Sequence, residues 1–290
     1  MIHSFCVTHK KPLLPDKWYD DCIALGNFQT DSACHVKQLD PFWHEARSIA
    51  YGAAGTHALP VAIERFAGEA ELIEISSYRK RVLPFAVGSE SHSYPTMREL
   101  NMDSVDEEVE LSASMLRGDV GFLLAQPIFL AESVLGQYAS GHQLKDILDY
   151  TNLAVELGVL DSRSVTELLG AKHFIPGGIE LGIYPKSWLV QALSKIEVVG
   201  RQFLCRYGDR VKKYNDQQIR AVGFLSERLG SYLLIRHLNE RYARNIPAEV
   251  FGYMTVIVEG DTRYSAGLAE AADRPKVTSS WYQRKQKRAR

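Results

Sequence analysis

The amino-terminal segment of the chain constrains the fold most strongly. An apolar run from Ile2 to Thr8 has the length and composition of a buried strand, and it ends directly in the basic loop His9, Lys10 and Lys11. Ligands of open α/β sheets bind at the carboxyl ends of the strands, so this order is typical of a nucleotide-binding α/β domain. The segment therefore predicts an α/β domain with its ligand beside the first strand.

The remainder of the chain alternates predicted strands with predicted helices. Apolar residues recur every three or four positions in the helical segments, whereas the strands are short apolar or alternating runs. The predicted strands cover residues 70–76, 120–125 and 253–258, and the predicted helices cover residues 61–66, 128–140, 144–157, 164–169, 187–203 and 216–238. The polar, acidic residues 89–111 predict a mobile surface segment, with a helix over 105–115 as an alternative.

Length, charge and cysteine usage exclude several classes of protein. The 290 residues suffice for one large α/β domain, and a net charge of −1 gives no indication of nucleic-acid binding. The four cysteines form no Cys-x-x-Cys pair, which argues against a zinc ribbon and a disulfide framework. We expect Cys6 to be a small core residue.

Neither a signal-peptide pattern nor an apolar run of roughly 18 residues occurs, so we expect a cytoplasmic protein.

Common phosphate-binding and metal-binding motifs do not occur in this sequence. There is no Gly-x-x-x-x-Gly-Lys-Ser/Thr loop, no Gly-x-Gly-x-x-Gly fingerprint and no Asp-x-Asp pair. A diphosphate that leaves without a metal ion needs Arg, Lys, Tyr or helix N-termini to stabilise its charge. The basic run Tyr78, Arg79, Lys80 and Arg81, which follows a predicted strand, offers such groups. On charge alone, a solvated basic turn is the simpler interpretation of this run.

Two further sets of residues have the spacing of a shared helix face. Tyr138 and His142 are four apart, and a His of near-neutral pKa can deprotonate a hydroxyl, although an isolated His near a helix end is more often packed or capping. Arg220, Gly223 and Glu227 follow one another at intervals of three and four. A glycine in mid-helix costs about 1 kcal/mol relative to Ala, so we expect a close approach there, by a ligand or by another helix.

The order of these motifs resembles a bacterial family of glycosyltransferases of capsular-polysaccharide and other surface-glycan biosynthesis. The likeness spans roughly residues 2 to 240. Members of this family open with a strand and a His-Lys pair, continue to a His-Tyr-Arg-Arg signature and a Tyr-x-x-x-His element, and end with Arg-x-x-Gly-Phe-x-x-Glu-Arg-Leu. The matching residues are His9 and Lys10, then Ser77 to Lys80, then Tyr138 and His142, and finally Arg220, Gly223, Phe224, Glu227, Arg228 and Leu229.

The resemblance implies a fold and a set of roles. It implies a single GT-A-like α/β domain over residues 1–262, with a central mixed sheet flanked by helices, that transfers a sugar from a nucleotide-diphosphosugar, with a UDP-sugar favoured, without a cofactor or divalent metal. The implied nucleotide and diphosphate ligands are His9, Lys10, Tyr78, Arg79 and Lys80. His142 or Glu227 is the implied catalytic residue, and Tyr138, Arg220 and Arg228 are implied to contact the acceptor or sugar.

Two departures and the carboxyl-terminal tail qualify this prediction. Ser77 replaces the signature His, and Lys80 replaces an Arg and so lacks its bidentate fork. These changes leave open a non-catalytic relative that only binds a nucleotide or glycan. Residues 263–290 form a polar to basic tail that ends in Trp281, Tyr282 and five cations. Such a tail suits contact with the inner face of the plasma membrane and a lipid-linked glycan acceptor, although short basic termini are most often simply solvated.

Overall fold

The computed structural model describes residues 1–30, 34–91, 96–105 and 121–260. These residues form a mixed α/β fold with a nine-stranded central sheet and a separate two-stranded sheet. The strands are β1 (Ile2–Thr8), β2 (Asp21–Ala24), β3 (Leu72–Ser77), β4 (Lys80–Leu83), β5 (Ser89–Glu90), β6 (Met97–Asn101), β7 (Leu123–Ala125), β8 (Ile128–Phe129), β9 (His173–Phe174), β10 (Gly182–Pro185) and β11 (Phe251–Val258).

The α-helices lie between these strands along the chain. They are α1 (Val36–Leu39), α2 (Pro41–Glu45), α3 (Arg47–Ala50), α4 (Ala53–Phe66), α5 (Val134–Ala139), α6 (Leu144–Glu156), α7 (Ser162–Gly170), α8 (Lys186–Val211) and α9 (Ala221–Arg241). Short 3-10 helices cover Asp16–Trp18, Met102–Ser104, Gln218–Arg220 and Ala248–Val250. None of the helices among the described residues combines the length and apolar character needed to cross a bilayer.

The central sheet has the strand order β2-β1-β3-β10-β7-β11-β6-β5, and β4 pairs with both β3 and β11. The pairings show that β1, β2, β3, β6, β7 and β11 run in one direction, whereas β4, β5 and β10 run in the other. We call the edge where the first group ends the carboxyl edge. Because β10 is antiparallel to β3, the segment that enters β10 also lies at this edge.

Alternating side chains of β1 reach two different cores. Phe5 and Val7 belong to the main core, which lies under α4 and α8, whereas Cys6 packs with Trp18 and Cys22 on the opposite face. The prediction that Cys6 is a core residue is confirmed, because its side chain has no exposed surface. Helix α4 lies close to β1, since a Cβ placed on Gly55 would come within 2.5 Å of a Val7 methyl group.

Several sequence predictions agree with these elements. The strand predicted at residues 2–8 is β1, and the helix predicted at residues 144–157 is α6. The predicted helix at residues 187–203 is the first part of the longer α8, and the late predicted strand is β11. The central mixed sheet with flanking helices is therefore the fold class that was expected, apart from its GT-A-like details.

Two predictions were wrong. Residues 89–111 were expected to be a mobile surface segment, but in its described parts, residues 89–91 and 96–105, β5 and β6 extend the sheet and Met97 is fully buried. The polar composition was misleading because strands at a sheet edge tolerate polar residues. Residues 128–140 were expected to be helical, but β8 pairs with the distant β9, and α5 starts only after Ser133 caps it. Most of the alternative helix at 105–115 lies outside the described residues.

Candidate functional site

The carboxyl edge of the sheet brings basic and aromatic residues together from four separate segments. His9 and Lys10 follow β1, and Tyr78 and Arg79 form the tight turn between β3 and β4. Arg47 begins α3 and Tyr51 follows its last residue, while Arg220 immediately precedes α9. We call His9, Lys10, Arg47, Arg79 and Arg220 the basic cluster.

Tyr78 is the centre of one half of the basic cluster. The Lys10 ammonium lies 4.7 Å from the centre of the Tyr78 ring, and the Arg79 guanidinium carbon lies 5.2 Å from it. The His9 ring meets Tyr78 edge-on at 5.1 Å. The turn itself is fixed, because the Tyr78 carbonyl accepts a hydrogen bond from the amide of Leu13 at 2.6 Å. Tyr78 therefore holds three basic side chains on one ring.

Tyr51 organises the other half of the basic cluster. The guanidinium carbons of Arg47 and Arg220 lie 5.1 and 4.6 Å from the centre of its ring. Tyr51 has a φ of +50° and a ψ of −126°, a backbone conformation that favours glycine. For a tyrosine this costs on the order of 1–3 kcal/mol, and strain of this kind concentrates at functional sites.

Three members of the basic cluster carry a positive charge that no carboxylate of the described residues pairs with. Among residues 1–30, 34–91, 96–105 and 121–260, no carboxylate forms a salt bridge with Lys10, Arg47 or Arg220. Burial lowers the pKa of His9, and repulsion from Arg47, Lys10, Arg220 and Arg79 lowers it further. Burial likewise lowers the pKa of Arg47, whose Nε is buried without a hydrogen-bond partner in the described part. Such a site is suited to a ligand with several negative charges.

The basic run after β3 divides into three different environments. Tyr78 and Arg79 join the basic cluster, whereas Arg81 is buried and donates two hydrogen bonds, of 2.6 and 2.8 Å, to the carboxylate of Glu74. Lys80 pairs with Ser77 and Val256 at the start of β4 and stabilises the charged form of Glu180. One residue of the run is therefore structural, and the simple solvated-turn interpretation describes none of the three.

Glu227 lies two helical turns beyond Arg220 along α9, so both belong to the same stripe of the helix. Its Oε1 accepts a hydrogen bond of 2.8 Å from the amide of Gly177, in the turn that precedes β10. The structure thus places Glu227 against this turn. Gly223, on the same stripe, has room for a methyl group, since a Cβ there would meet the Ala53 Cβ at 3.5 Å. Packing against another helix therefore does not require glycine at this position, and the approach of a ligand stays a prediction.

Tyr138, His142, Phe224 and Arg228 form an aromatic cluster between α5 and α9. The His142 ring lies 4.9 Å from Tyr138 and 4.4 Å from Phe224, and the amide of His142 donates to the carbonyl of Tyr138. Arg228 is buried, lies over the Tyr138 ring, and donates to the Phe224 carbonyl and the side chain of Gln137. Burial, with a contribution from Arg228, lowers the pKa of His142 to about 4.

The structure thus separates the predicted site residues into three groups. His9, Lys10, Tyr78, Arg79 and Arg220 converge in or around the basic cluster, Tyr138, His142 and Arg228 converge in the aromatic cluster, and Lys80 and Glu227 lie near Glu180. Sequence reasoning missed Arg47, Tyr51 and Glu180. The four-residue spacing of Arg47 and Tyr51 was visible, but nothing local indicated that α3 would pack against α9 and bring Arg47 close to His9. Glu180 sits in a turn whose partner, α9, is distant in sequence.

Two other concave regions lie away from the basic cluster. A cavity of about 180 Å³ borders Arg228, Phe174 and Tyr232, and a groove of about 590 Å³ borders Trp188 and His237. The groove lies beyond the end of β10, at the edge of the sheet opposite to the basic cluster. No group of three His, Cys, Asp or Glu side chains within the described ranges is arranged to hold a metal ion. We place the candidate site at the carboxyl edge because the convergent charge is there.

Comparisons with known proteins are consistent with this fold. No protein-family model and no curated protein matches the sequence. One solved structure, described as the WbbM bifunctional glycosyltransferase in its apo state, superposes with a TM-score of 0.60 at 11% sequence identity. The match covers 94% of this chain and 47% of that one, so the chain spans about half the length of its structural neighbour. The likeness shows that the chain shares its fold with part of that structure.

Proposed function

We propose that this protein is a glycosyltransferase that takes a sugar from a nucleotide-diphosphosugar, of which a UDP-sugar is favoured. The observation that carries the proposal is the basic cluster, which gathers cations at the carboxyl edge of the sheet, where no carboxylate of the described residues pairs with Lys10, Arg47 or Arg220. A diphosphate carries the negative charge that such a cluster lacks. The likeness in fold to WbbM, a protein described as a glycosyltransferase, supports the same class.

Each part of the site has a role in the proposed reaction. Arg47, Arg79 and Arg220 bind the diphosphate and stabilise its charge as the bond to the sugar breaks, so no divalent metal is required. His9, Lys10 and Tyr78 border the nucleotide side, and Lys80, Glu227 and the aromatic cluster border the sugar and the acceptor. In this reaction, most of the catalysis comes from positioning the donor and the acceptor and from stabilising the charge of the leaving diphosphate.

The remaining parts of the proposal concern the whole chain. We infer a GT-A-like domain over residues 1–262 and a surface-glycan acceptor, as in capsule, exopolysaccharide or O-antigen synthesis. A lipid-linked acceptor would bring the protein to the inner face of the plasma membrane, where the basic tail at 263–290 would contact anionic lipids. The tail lies outside the described residues. Its role is tested by liposome binding at low salt, which deletion of residues 275–290 should abolish.

Thermal-shift measurements with nucleotides test the proposed function. UDP, GDP and CMP, and their sugars, are each added with EDTA and with manganese. A ligand at about 100 times its dissociation constant should stabilise the fold by about 2.7 kcal/mol. We expect stabilisation by one diphosphonucleotide that persists in EDTA. Stabilisation that needs manganese would contradict the metal-independent mechanism. The absence of stabilisation by any of these ligands would contradict the function itself, and binding without any turnover would favour the non-catalytic relative.

A further inference from the structure

Glu180 lies at the same edge of the sheet as the basic cluster. It is two residues before Gly182, which pairs with Ile75 of β3 and with Leu124 of β7. Both of those strands end at the carboxyl edge, so the residues that enter β10 there lie beside the proposed donor site. The amide of Glu180 donates a hydrogen bond of 2.6 Å to the carbonyl of Gly177. Glu180 therefore belongs to the same turn that binds Glu227.

The turn at residues 177–180 is fixed against α9. Gly178 has a φ of +53°, and a Cβ on it would lie 2.6 Å from the carbonyl oxygen of Glu227. Only glycine fits this contact, because both the backbone conformation and the space exclude a side chain. The turn and α9 therefore hold Glu180 and Glu227 in one arrangement instead of leaving them on independent loops.

Glu180 has the surroundings expected of a carboxyl group that takes up and releases a proton in a reaction. Its Oε1 is buried and has no hydrogen-bond partner in the described part of the chain, while the residue as a whole stays partly exposed. The charged groups that act on it are Glu227 from α9 and Lys80 from β4. Burial, followed by repulsion from Glu227, raises the pKa of Glu180 to about 8, and attraction by Lys80 opposes this rise.

Two tyrosines complete the surroundings. Tyr184 of β10 and Tyr150 of α6 both feel the charge of Glu180, which helps to keep their own pKa values above the usual range. Tyr184 directs its hydroxyl to the carbonyls of Leu181 and Gly178, and Tyr150 directs its hydroxyl to Ser226. Neither hydroxyl therefore provides the missing partner for Glu180.

We propose that Glu180 is the catalytic base that takes the proton from the acceptor hydroxyl, and that Glu227 and Lys80 set its protonation from opposite directions. This proposal rests on the proposed function. In the step, the acceptor oxygen bonds to the anomeric carbon while its proton passes to the Glu180 carboxylate. The bond between the anomeric carbon and the diphosphate oxygen breaks, and its electron pair leaves with the nucleoside diphosphate. Glu180 then releases the proton to solvent.

The distance between the two parts of the site suits such a transfer. Arg220 and Glu227 are seven residues apart, which corresponds to about 10 Å along a helix at 1.5 Å per residue. The diphosphate lies at the Arg220 end of this stretch, and the carboxylates lie at the Glu227 end. In the proposed complex, the sugar ring with its anomeric carbon lies between these two ends. The acceptor hydroxyl then approaches beside Glu180.

The pH profile of donor cleavage tests this proposal. The probe is the nucleotide-sugar that binds in the thermal-shift screen, with water as the acceptor and release of the nucleoside diphosphate as the readout. We expect the wild-type rate to rise with pH as Glu180 loses its proton. Glu180→Gln should reduce the rate on the order of 100-fold and remove this rise, while the dissociation constant of the nucleoside diphosphate stays unchanged.

Two variants test the opposing neighbours, and a third provides a control. Glu227→Gln removes the repulsion and should move the rise in rate to lower pH, whereas Lys80→Gln removes the attraction and should move it to higher pH. Glu64→Gln, at an exposed position of α4, should change neither rate nor profile. Glu180→Asp keeps an ionisable group and should restore part of the pH dependence. A carbon-13 NMR titration of the Glu180 carboxyl group should show the same opposite shifts without any ligand.

The outcomes separate this proposal from the proposed function. If a diphosphonucleotide binds but Glu180→Gln keeps its rate within about fivefold of the wild type, Glu180 is not the base and only this proposal falls. A rise in rate that stays at the same pH in both Glu227→Gln and Lys80→Gln would also overturn it. A wild-type protein that binds no diphosphonucleotide overturns the proposed function, and this proposal falls with it.

Discussion

The basic cluster and the aromatic cluster contain the same kinds of side chain but differ in their hydrogen bonds. Each combines arginine with tyrosine, and α9 contributes to both. In the basic cluster, Lys10, Arg47 and Arg220 lack carboxylate partners within the described ranges. In the aromatic cluster, Arg228 donates to Phe224 and Gln137 and is covered by rings. The comparison teaches that the hydrogen bonds an arginine makes, and not residue type, distinguish a cation available to a ligand from one that is packed in place.

The two clusters should therefore respond differently to the same substitution. A buried arginine that already makes its hydrogen bonds contributes to the free energy of unfolding, and its loss leaves acceptors unsatisfied. A cation that lacks a partner contributes little to stability or even opposes folding through repulsion, and it contributes to binding once an anion arrives. The predictions below test this difference, from the largest expected effect to the smallest.

The largest effect is expected for Arg228→Met. The substitution removes the hydrogen bonds that the buried Arg228 donates to Gln137 and to the Phe224 carbonyl, so we expect the free energy of unfolding to fall by roughly 2–4 kcal/mol. The dissociation constant of UDP should remain that of the wild type. Urea unfolding and calorimetric titration measure the two quantities. Arg236→Met, at an exposed position of the same helix, is the matched control and should change stability by less than about 0.5 kcal/mol.

Arg47→Met should have the opposite signature. Loss of one charge-assisted contact to the diphosphate costs about 1.5–3 kcal/mol of binding, or roughly a tenfold to hundredfold weaker affinity for UDP. Stability should stay constant or rise, because repulsion with Arg220 is removed. Arg163→Met, on the exposed face of α7, should leave UDP binding unchanged. A loss of stability without a loss of affinity would place Arg47 with the structural arginines.

His142→Ala distinguishes packing from catalysis in the aromatic cluster. With a pKa of about 4, His142 is neutral at pH 7 and is a weak base, while its ring fills the space between Tyr138 and Phe224. We expect about 1–2 kcal/mol lower stability and less than about a fivefold loss of turnover. A loss of turnover on the order of 100-fold, with the fold intact, would instead support His142 as the base.

The affinity for UDP should increase as the pH falls toward and below the ordinary His pKa of 6.5. Burial and the surrounding cations lower the pKa of His9 in the free protein, and a bound diphosphate raises it again, so binding takes up a proton. One such proton changes affinity by at most about tenfold per pH unit. UDP is titrated calorimetrically into the wild type and into His9→Gln at several pH values. The difference between the two proteins gives the proton taken up by His9, because the protons of the nucleotide contribute equally to both. Identical pH profiles for the two proteins would show that His9 takes up no proton when the diphosphate binds.

The smallest effect is expected for Gly223→Ala. The Cβ would make ordinary contact with Ala53, and alanine is favoured over glycine within a helix. We expect a gain in stability of up to about 1 kcal/mol and no change in UDP affinity, measured by urea unfolding and calorimetric titration. Reduced affinity would show that a ligand approaches α9 closely at this position.

Local sequence patterns predicted the strands and helices that depend mainly on their own residues. The strand β1, with a basic loop at its end, and the amphipathic α6 were predictable from periodicity alone. The strands β5, β6 and β8 were not, because they are short or polar and are stabilised by partners far away in sequence. The predicted helix over 128–140 failed for the same reason.

The candidate site was predictable in part. His9, Lys10, Tyr78 and Arg79 follow strands, and the rule that ligands bind at strand ends indicated them. Arg47 and Tyr51 join them only because α3 packs against α9 and the 3-10 helix that precedes it, which brings Arg47 close to Arg220 and His9. Glu180 was hidden because a carboxylate in a glycine turn is usually solvated, and only the fold shows that Glu227 and the interior surround it.

A crystal structure with UDP is the measurement that tests the central claim most directly. We predict that the diphosphate lies at the carboxyl edge of the sheet, with its oxygens within hydrogen-bond distance of the guanidinium groups of Arg47 and Arg79. Arg228 should keep its bonds to Phe224 and Gln137. A diphosphate bound instead beside Arg228, or in the groove near Trp188 and His237, would contradict the assignment of the basic cluster as the donor site.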